Sequence, residues 1–158
     1  MIDCLDRVYN SLGSQLSDQV ATTGHSQGGG GSVMAGTDRR VDATAPIQPN
    51  ASGFGVRSSS FGQQNGPMLL LSGSADTVVA PSLHQRPIYN GANVPVFWAT
   101  RRGAGHMEPT YDGGDFRGIT TAWFLYQLQG DTETASLFEG ANCGFCTASG
   151  WDVQRKGF

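Results

Sequence analysis

The sequence predicts an α/β fold, a mostly parallel sheet of about four strands flanked by helices. Three observations carry that expectation. Short β-branched or apolar runs alternate with helical stretches along the whole chain. One of them, Pro67 to Gly73, is uninterruptedly apolar through Leu71, as suits a parallel strand covered on both faces. Finally, Gly24-His25-Ser26-Gln27-Gly28 spells G-x-S-x-G between a predicted strand and a predicted helix, where that motif makes a sharp turn with an exposed serine.

Each element has its own signal. Ile2, Leu5, Tyr9 and Leu12 fall at helical spacing, so the chain opens into an amphipathic helix. Gln19 to Thr23 is a short β-branched strand, and Gly29 to Gly36 are small residues fit to begin a closely packed helix. Gly28 to Gly31 alone would pass for a linker; the strand in front decides for the turn. Val41 to Ile47 is a second strand. Residues 48–66 are rich in Gln, Asn, Ser and Gly and form a long loop, of a length that is functional or mobile in most domains. Asn50-Ala51-Ser52 matches a glycosylation sequon, which matters only in a eukaryotic secretory pathway. A helical segment from Ser82 to Tyr89, interrupted by Pro87, follows the Pro67–Gly73 strand. Val94 to Thr100 is the fourth strand. Phe116 to Leu128 is the best helix, with Ile119, Trp123 and Leu128 able to pack and Gly130 as its stop. Residues 140–158 read as a carboxyl-terminal loop with C-x-x-C.

Composition bounds the function. A chain of 158 residues is one domain with a single core. Its 13 Asp+Glu against 10 Lys+Arg, with no basic block, argue against a nucleic-acid partner. No stretch approaches the roughly 18 apolar residues of a membrane span. Met1 to Leu5 has no signal-peptide character, with an acid early and no apolar core. Cys143 and Cys146 lack the strand-then-helix setting of a redox motif and the further ligands of a zinc site. A local disulfide is the reading, and it points toward an oxidising compartment. Cys4, beside Leu5, is expected to be a small buried hydrophobe.

A serine on such a turn is a weak nucleophile until a base takes its proton and a carboxylate orients that base. Asp76 follows the third strand in Ser72-Gly73-Ser74-Ala75-Asp76, and His106 follows the fourth in Gly103-Ala104-Gly105-His106. Both sit at strand carboxyl ends, in the order serine, acid, histidine. Ser26, Asp76 and His106 are therefore the candidate catalytic residues. His25 is expected to point away from the serine's partner site, and His84 to lie on the surface. Asp112 and Asp115 follow the histidine and so stand in the wrong order; they suit loop or helix-cap positions. The backbone N–H of Gln27 is one candidate oxyanion donor, and no source for the second is apparent.

With these residues assembled, the chain resembles the carboxyl-terminal part of the bacterial polyester hydrolase and cutinase family of α/β-hydrolases. The resemblance rests on Gly24 to Gly30, on Ala45-Pro46, on Ser74-Ala75-Asp76-Thr77-Val78-Val79-Ala80-Pro81 and on Gly105-His106. It implies a truncated α/β-hydrolase fold, extracellular action, and serine hydrolysis of fatty-acyl or polyester esters with no cofactor and no metal. It also implies a substrate cleft with His25, Gln27, Val78 and Met107 beside the scissile ester, and a carboxyl-terminal disulfide, here Cys143 with Cys146. Plastic-degrading relatives carry a tryptophan after Ala-Pro where this chain has Ile47. The family's strands before the elbow are absent, which predicts an exposed sheet edge and self-association through it. The alternative reading is a catalytically weak fragment that serves as an interaction module. A serine peptidase or thioesterase stays open, because a triad alone does not choose the acyl group.

Overall fold

A computed structural model describes the backbone of residues 2–53 and 55–158, and their side chains except those of Ile2, Asp3, Cys4 and Ser14. The expectation for the Cys4 side chain therefore lies outside the described residues. In chain order the elements are α1 (Ile2–Leu12), β1 (Ala21–His25), α2 (Gln27–Ala35), β2 (Ala43–Ile47), β3 (Met68–Gly73) and α3 (Gln85–Gly91). They continue with β4 (Val96–Arg101), α4 (Phe116–Gln129), α5 (Thr132–Ala135), α6 (Gly144–Thr147) and β5 (Trp151–Lys156).

The architecture is α/β, with one five-stranded mixed sheet in the order β1-β2-β3-β4-β5. The first four strands run parallel and β5 returns antiparallel to β4. Because each parallel crossover brings the chain back to the same end, the loops after β1, β2, β3 and β4 open at one edge of the sheet. That edge holds the site.

β3 explains the layering. All six of its residues are buried, and successive side chains enter opposite faces. Leu69 and Leu71, with Phe97 and Ala99 of β4, pack against Phe116, Ile119 and Trp123 of α4. Met68 and Leu70, with Val96 and Trp98, pack on the other face with Val33 of α2, Ile88 of α3 and Phe61. The two faces differ in character. On the α4 side Phe97 meets Phe138 edge-on at 5.1 Å between ring centroids, and Trp123 meets Phe138 at 5.2 Å. On the other side α2 carries four consecutive glycines and its end lies close to the sheet: a Cβ on Gly36, just past α2, would stand 2.8 Å from Thr44 Cγ2.

Some boundaries depart from the sequence reading. Residues 48–66 are not without structure, since Ser58–Gln63 form a 3-10 turn that buries Phe61. The segment 140–158, expected as a loop, carries α6 and the fifth strand. β5 has a weak signal in the sequence because an edge strand keeps one face in water: Asp152 and Gln154 are exposed while Trp151 packs against Phe116 and Phe145. Cys143 and Cys146 are disulfide-bonded across α6. α4 stops at Gly130, which takes a left-handed φ of 65° and donates its N–H back to the last turn. β1 forms the other edge, paired on one side by β2. Beside it α1 leaves Val8 and Leu12 exposed and borders a cleft of about 340 Å³ with Leu16, Val20 and Ala21.

Phe97 holds β4 against the aromatic cluster, so Phe97→Ala removes contacts with Phe138 and Phe158 at once. The expected loss is about 3–5 kcal/mol of unfolding free energy, read from urea denaturation.

Candidate active site

The site begins with a backbone that ordinary residues avoid. Ser26 sits between β1 and α2 at φ 56°, ψ −114°. Three hydrogen bonds hold it there. Its N–H donates to Ile47 O at 3.0 Å, and its carbonyl accepts from Gly30 N at 3.1 Å and Asn50 N at 2.9 Å. The turn also needs absent side chains. A Cβ on Gly24 would stand 2.5 Å from the backbone C and O of Gly28, and one on Gly29 would stand 2.8 Å from Pro49 Cα. Gly28 is different, since a Cβ there meets nothing within 4 Å.

Asp76 lies just past β3 with its side chain fully buried. Its Oδ1 accepts from the N–H groups of Val78 at 2.9 Å and Val79 at 2.8 Å. That leaves Oδ2 for His106, whose Nδ1 is 2.8 Å away. A carboxylate only accepts, so Nδ1 carries the proton and Nε2 presents a lone pair. Nε2 stands 2.9 Å from Ser26 Oγ, which donates its hydroxyl proton to it. The turn that delivers His106 includes Gly103 at φ 77°, and its N–H is held by Ser74 Oγ at 2.8 Å. Ser26, Asp76 and His106, separated by 50 and 30 positions in sequence, thus form one hydrogen-bonded line.

The surrounding residues divide in two. Gln27 is the first residue of α2, where helix N–H groups lack intrahelical partners and face the positive end of the dipole. Val78, two residues past Asp76, and Met107, next to His106 in sequence, are apolar side chains 67% and 65% exposed. Tyr111 is also fully exposed, at φ 71°.

Two histidines stand elsewhere than expected. His25 does not point away: its ring lies 4.7 Å from that of His106, and its Nε2 is 3.1 Å from Oε1 of Gln48. Burial first, and then the neighbouring His106 charge, holds its pKa below the usual imidazole value. His84 is half-buried, and its Nδ1 accepts from Ala51 N at 3.2 Å, tying down the start of the 48–66 segment. Asp115 pairs with Arg101, and Asp112 Oδ1 accepts from Gly114 N at 3.0 Å. Gln48 escapes sequence reasoning. Its signal, a lone polar residue directly after a buried strand, is faint among so many glutamines and asparagines. Among the described residues no group of three or more His, Cys, Asp or Glu could hold a metal ion, and no helix is long and apolar enough to cross a membrane.

Such a line can move a proton from a hydroxyl to an imidazole while a carboxylate stabilises the resulting cation, which is what acyl transfer requires. A family model described as PET hydrolase-like matches residues 7–148. The chain is 27% identical over 132 residues to cutinase est2 of Thermobifida alba, covering 81% of this chain and 42% of that protein. To cutinase 2 of Thermobifida cellulosilytica it is 27% identical over 139 residues, covering 81% and 50%. To cutinase 1 of the same organism it is 24% identical over 132 residues, covering 81% and 48%. The chain spans half or less of the length of these relatives.

The two glycines of G-x-S-x-G are unequal. Gly24→Ala forces backbone against backbone and is expected to lower the melting temperature and disable Ser26. Gly28→Ala, at an open helical position, is expected to add about 0.5–1 kcal/mol of stability. Paired thermal unfolding of the two variants checks this.

Proposed function

The chain belongs to the PET hydrolase-like family, and from that membership we propose that it is a serine carboxylic-ester hydrolase working through an acyl-enzyme on Ser26. The observation that carries the reading is the line Asp76–His106–Ser26, with contacts of 2.8 and 2.9 Å. In this reading Ser26 Oγ attacks the ester carbonyl as His106 Nε2 takes its proton. Asp76 orients the ring and stabilises the imidazolium. The N–H of Gln27 donates to the oxyanion. His106 then returns the proton to the departing alcohol, leaving Ser26 acylated. Water attacks the acyl carbon as His106 takes its proton, and His106 then gives that proton to the departing Ser26 Oγ as the acid leaves.

The relatives are named cutinases, and we extend to this chain esters of that kind, with acyl lipids or polyesters as substrate and no cofactor. His25, Val78 and Met107 would border the ester, and the exposed apolar pair Val78 and Met107 favours a substrate with a greasy acyl or polymer chain. The Cys143–Cys146 disulfide supports an extracellular place of action. A second reading, a weak hydrolase that acts by association, is favoured by one observation: β1 is an edge strand next to the elbow.

A fluorophosphonate probe should label the wild-type protein and not Ser26→Ala, and absence of serine-dependent labelling would sink the esterase reading. Asp76→Asn should label slowly and lower kcat on a p-nitrophenyl ester by about 10⁴-fold, because the ring loses its orienting acceptor. For the second reading, sedimentation equilibrium should show concentration-dependent dimers; a monomer at all concentrations removes it.

A further inference from the structure

Gln48 stands one residue past β2 and is not one of the groups that exchange protons in that acyl transfer. Its backbone has φ 42°, in the left-handed region that few non-glycine residues adopt. Its side chain is fully buried at 0% exposure. An amide withdrawn from water needs partners at both ends, and Gln48 has them. Oε1 lies 3.1 Å from His25 Nε2, and Nε2 donates to the Gly105 carbonyl at 2.9 Å. The neighbouring strand leaves room for this arrangement. A Cβ on Gly73 would stand 2.7 Å from Gln48 Nε2 and 2.3 Å from Ala104 O.

The directions of these bonds follow from chemistry. A carbonyl only accepts, so the amide NH₂ of Gln48 faces Gly105 and its oxygen faces His25. His25 must then donate from Nε2. The titratable groups facing His25 are His106 and Asp76, with the His106 backbone and the Gln48 side chain as its neutral partners. A neutral His25 matters, because its ring lies 4.7 Å from the one that becomes an imidazolium during acyl transfer. Two adjacent cations would oppose each other.

We propose that Gln48 is a positioning residue for acyl transfer: a neutral strut that fixes His25 as its Nε2–H tautomer and tethers Gly105, so that the adjacent His106 stays across Ser26. This rests on the reading of Ser26 as nucleophile and His106 as base. Glutamate at this place would keep an acceptor for His25 but turn a second oxygen on the Gly105 carbonyl, and it would favour the His25 cation. Methionine would keep the length and lose both bonds.

Gln48→Glu and Gln48→Met test the two halves of the strut. Nitrogen-15 NMR of the histidine rings across a pH titration should show wild-type His25 protonated at Nε2 alone. It should show mixed tautomers in Gln48→Met and a His25 that titrates at higher pH in Gln48→Glu. On a p-nitrophenyl ester both variants should lower kcat on the order of tenfold to a hundredfold while KM stays within about twofold, as expected for a misplaced base. A thermal scan checks folding, and if Gln48→Met does not fold, the equally sized Gln48→Glu decides. An unchanged His25 in the folded variants, or a changed His25 with kcat at the wild-type level, overturns the proposal while the esterase reading stands. A wild-type protein inert to both ester and fluorophosphonate removes the esterase reading, and the positioning role falls with it.

Discussion

The site depends on one backbone constraint, the positive-φ conformation of Ser26 at φ 56°, ψ −114°. A residue held there costs on the order of 1–3 kcal/mol, and the surrounding structure must offset it. The compensation comes largely from the neighbouring strand and the loop after it, through Ile47 O and Asn50 N, with Gly30 N of α2 as the third partner. β2 and the start of the 48–66 segment are therefore as much a part of the elbow as β1 and α2. Small residues complete the constraint, since Gly24 and Gly29 let α2 approach both strands. The result is a hydroxyl fixed above the sheet's carboxyl edge. There the loops after β3 and β4 bring an acid and a base.

That geometry also explains why the sequence is so readable at this site. In a parallel sheet, a residue just past a strand's carboxyl end is delivered to the same edge as every other such residue. Recognising β3 and β4 by their apolar runs is therefore enough to bring Asp76 and His106 to Ser26. The misses share the opposite property. β5 is antiparallel at the edge, with a polar outer face, so neither run length nor full burial marks it. His25, inside the elbow motif, is expected to point away from the serine's partner site. His25 instead lies beside His106, with ring centroids 4.7 Å apart. Gln48 finds its partners 23 and 57 positions away. Nothing in the sequence around Gln48 sets it apart from the other glutamines and asparagines that follow β2.

Gln48 belongs to a wider habit of this chain, in which loops are held by buried neutral amides. Gln64 donates to Val33 O and Ser60 O, and Gln85 donates to Pro49 O. Only 15% of the residues are charged, and an amide can donate to a buried carbonyl without bringing a charge out of water. The three are not equivalent. Among the described residues, the side-chain oxygens of Gln64 and Gln85 have no hydrogen-bond partner. Each such atom costs about 1–3 kcal/mol when buried, so those two serve chiefly as donors that anchor loops. Gln48 has both ends engaged, one on a ring beside the base and one on the carbonyl before it. The first makes sense because a charged residue in that place would couple its own ionisation to His25 and, through it, to His106. A neutral amide joins the same groups while leaving the proton on His106 answerable to Asp76 and Ser26.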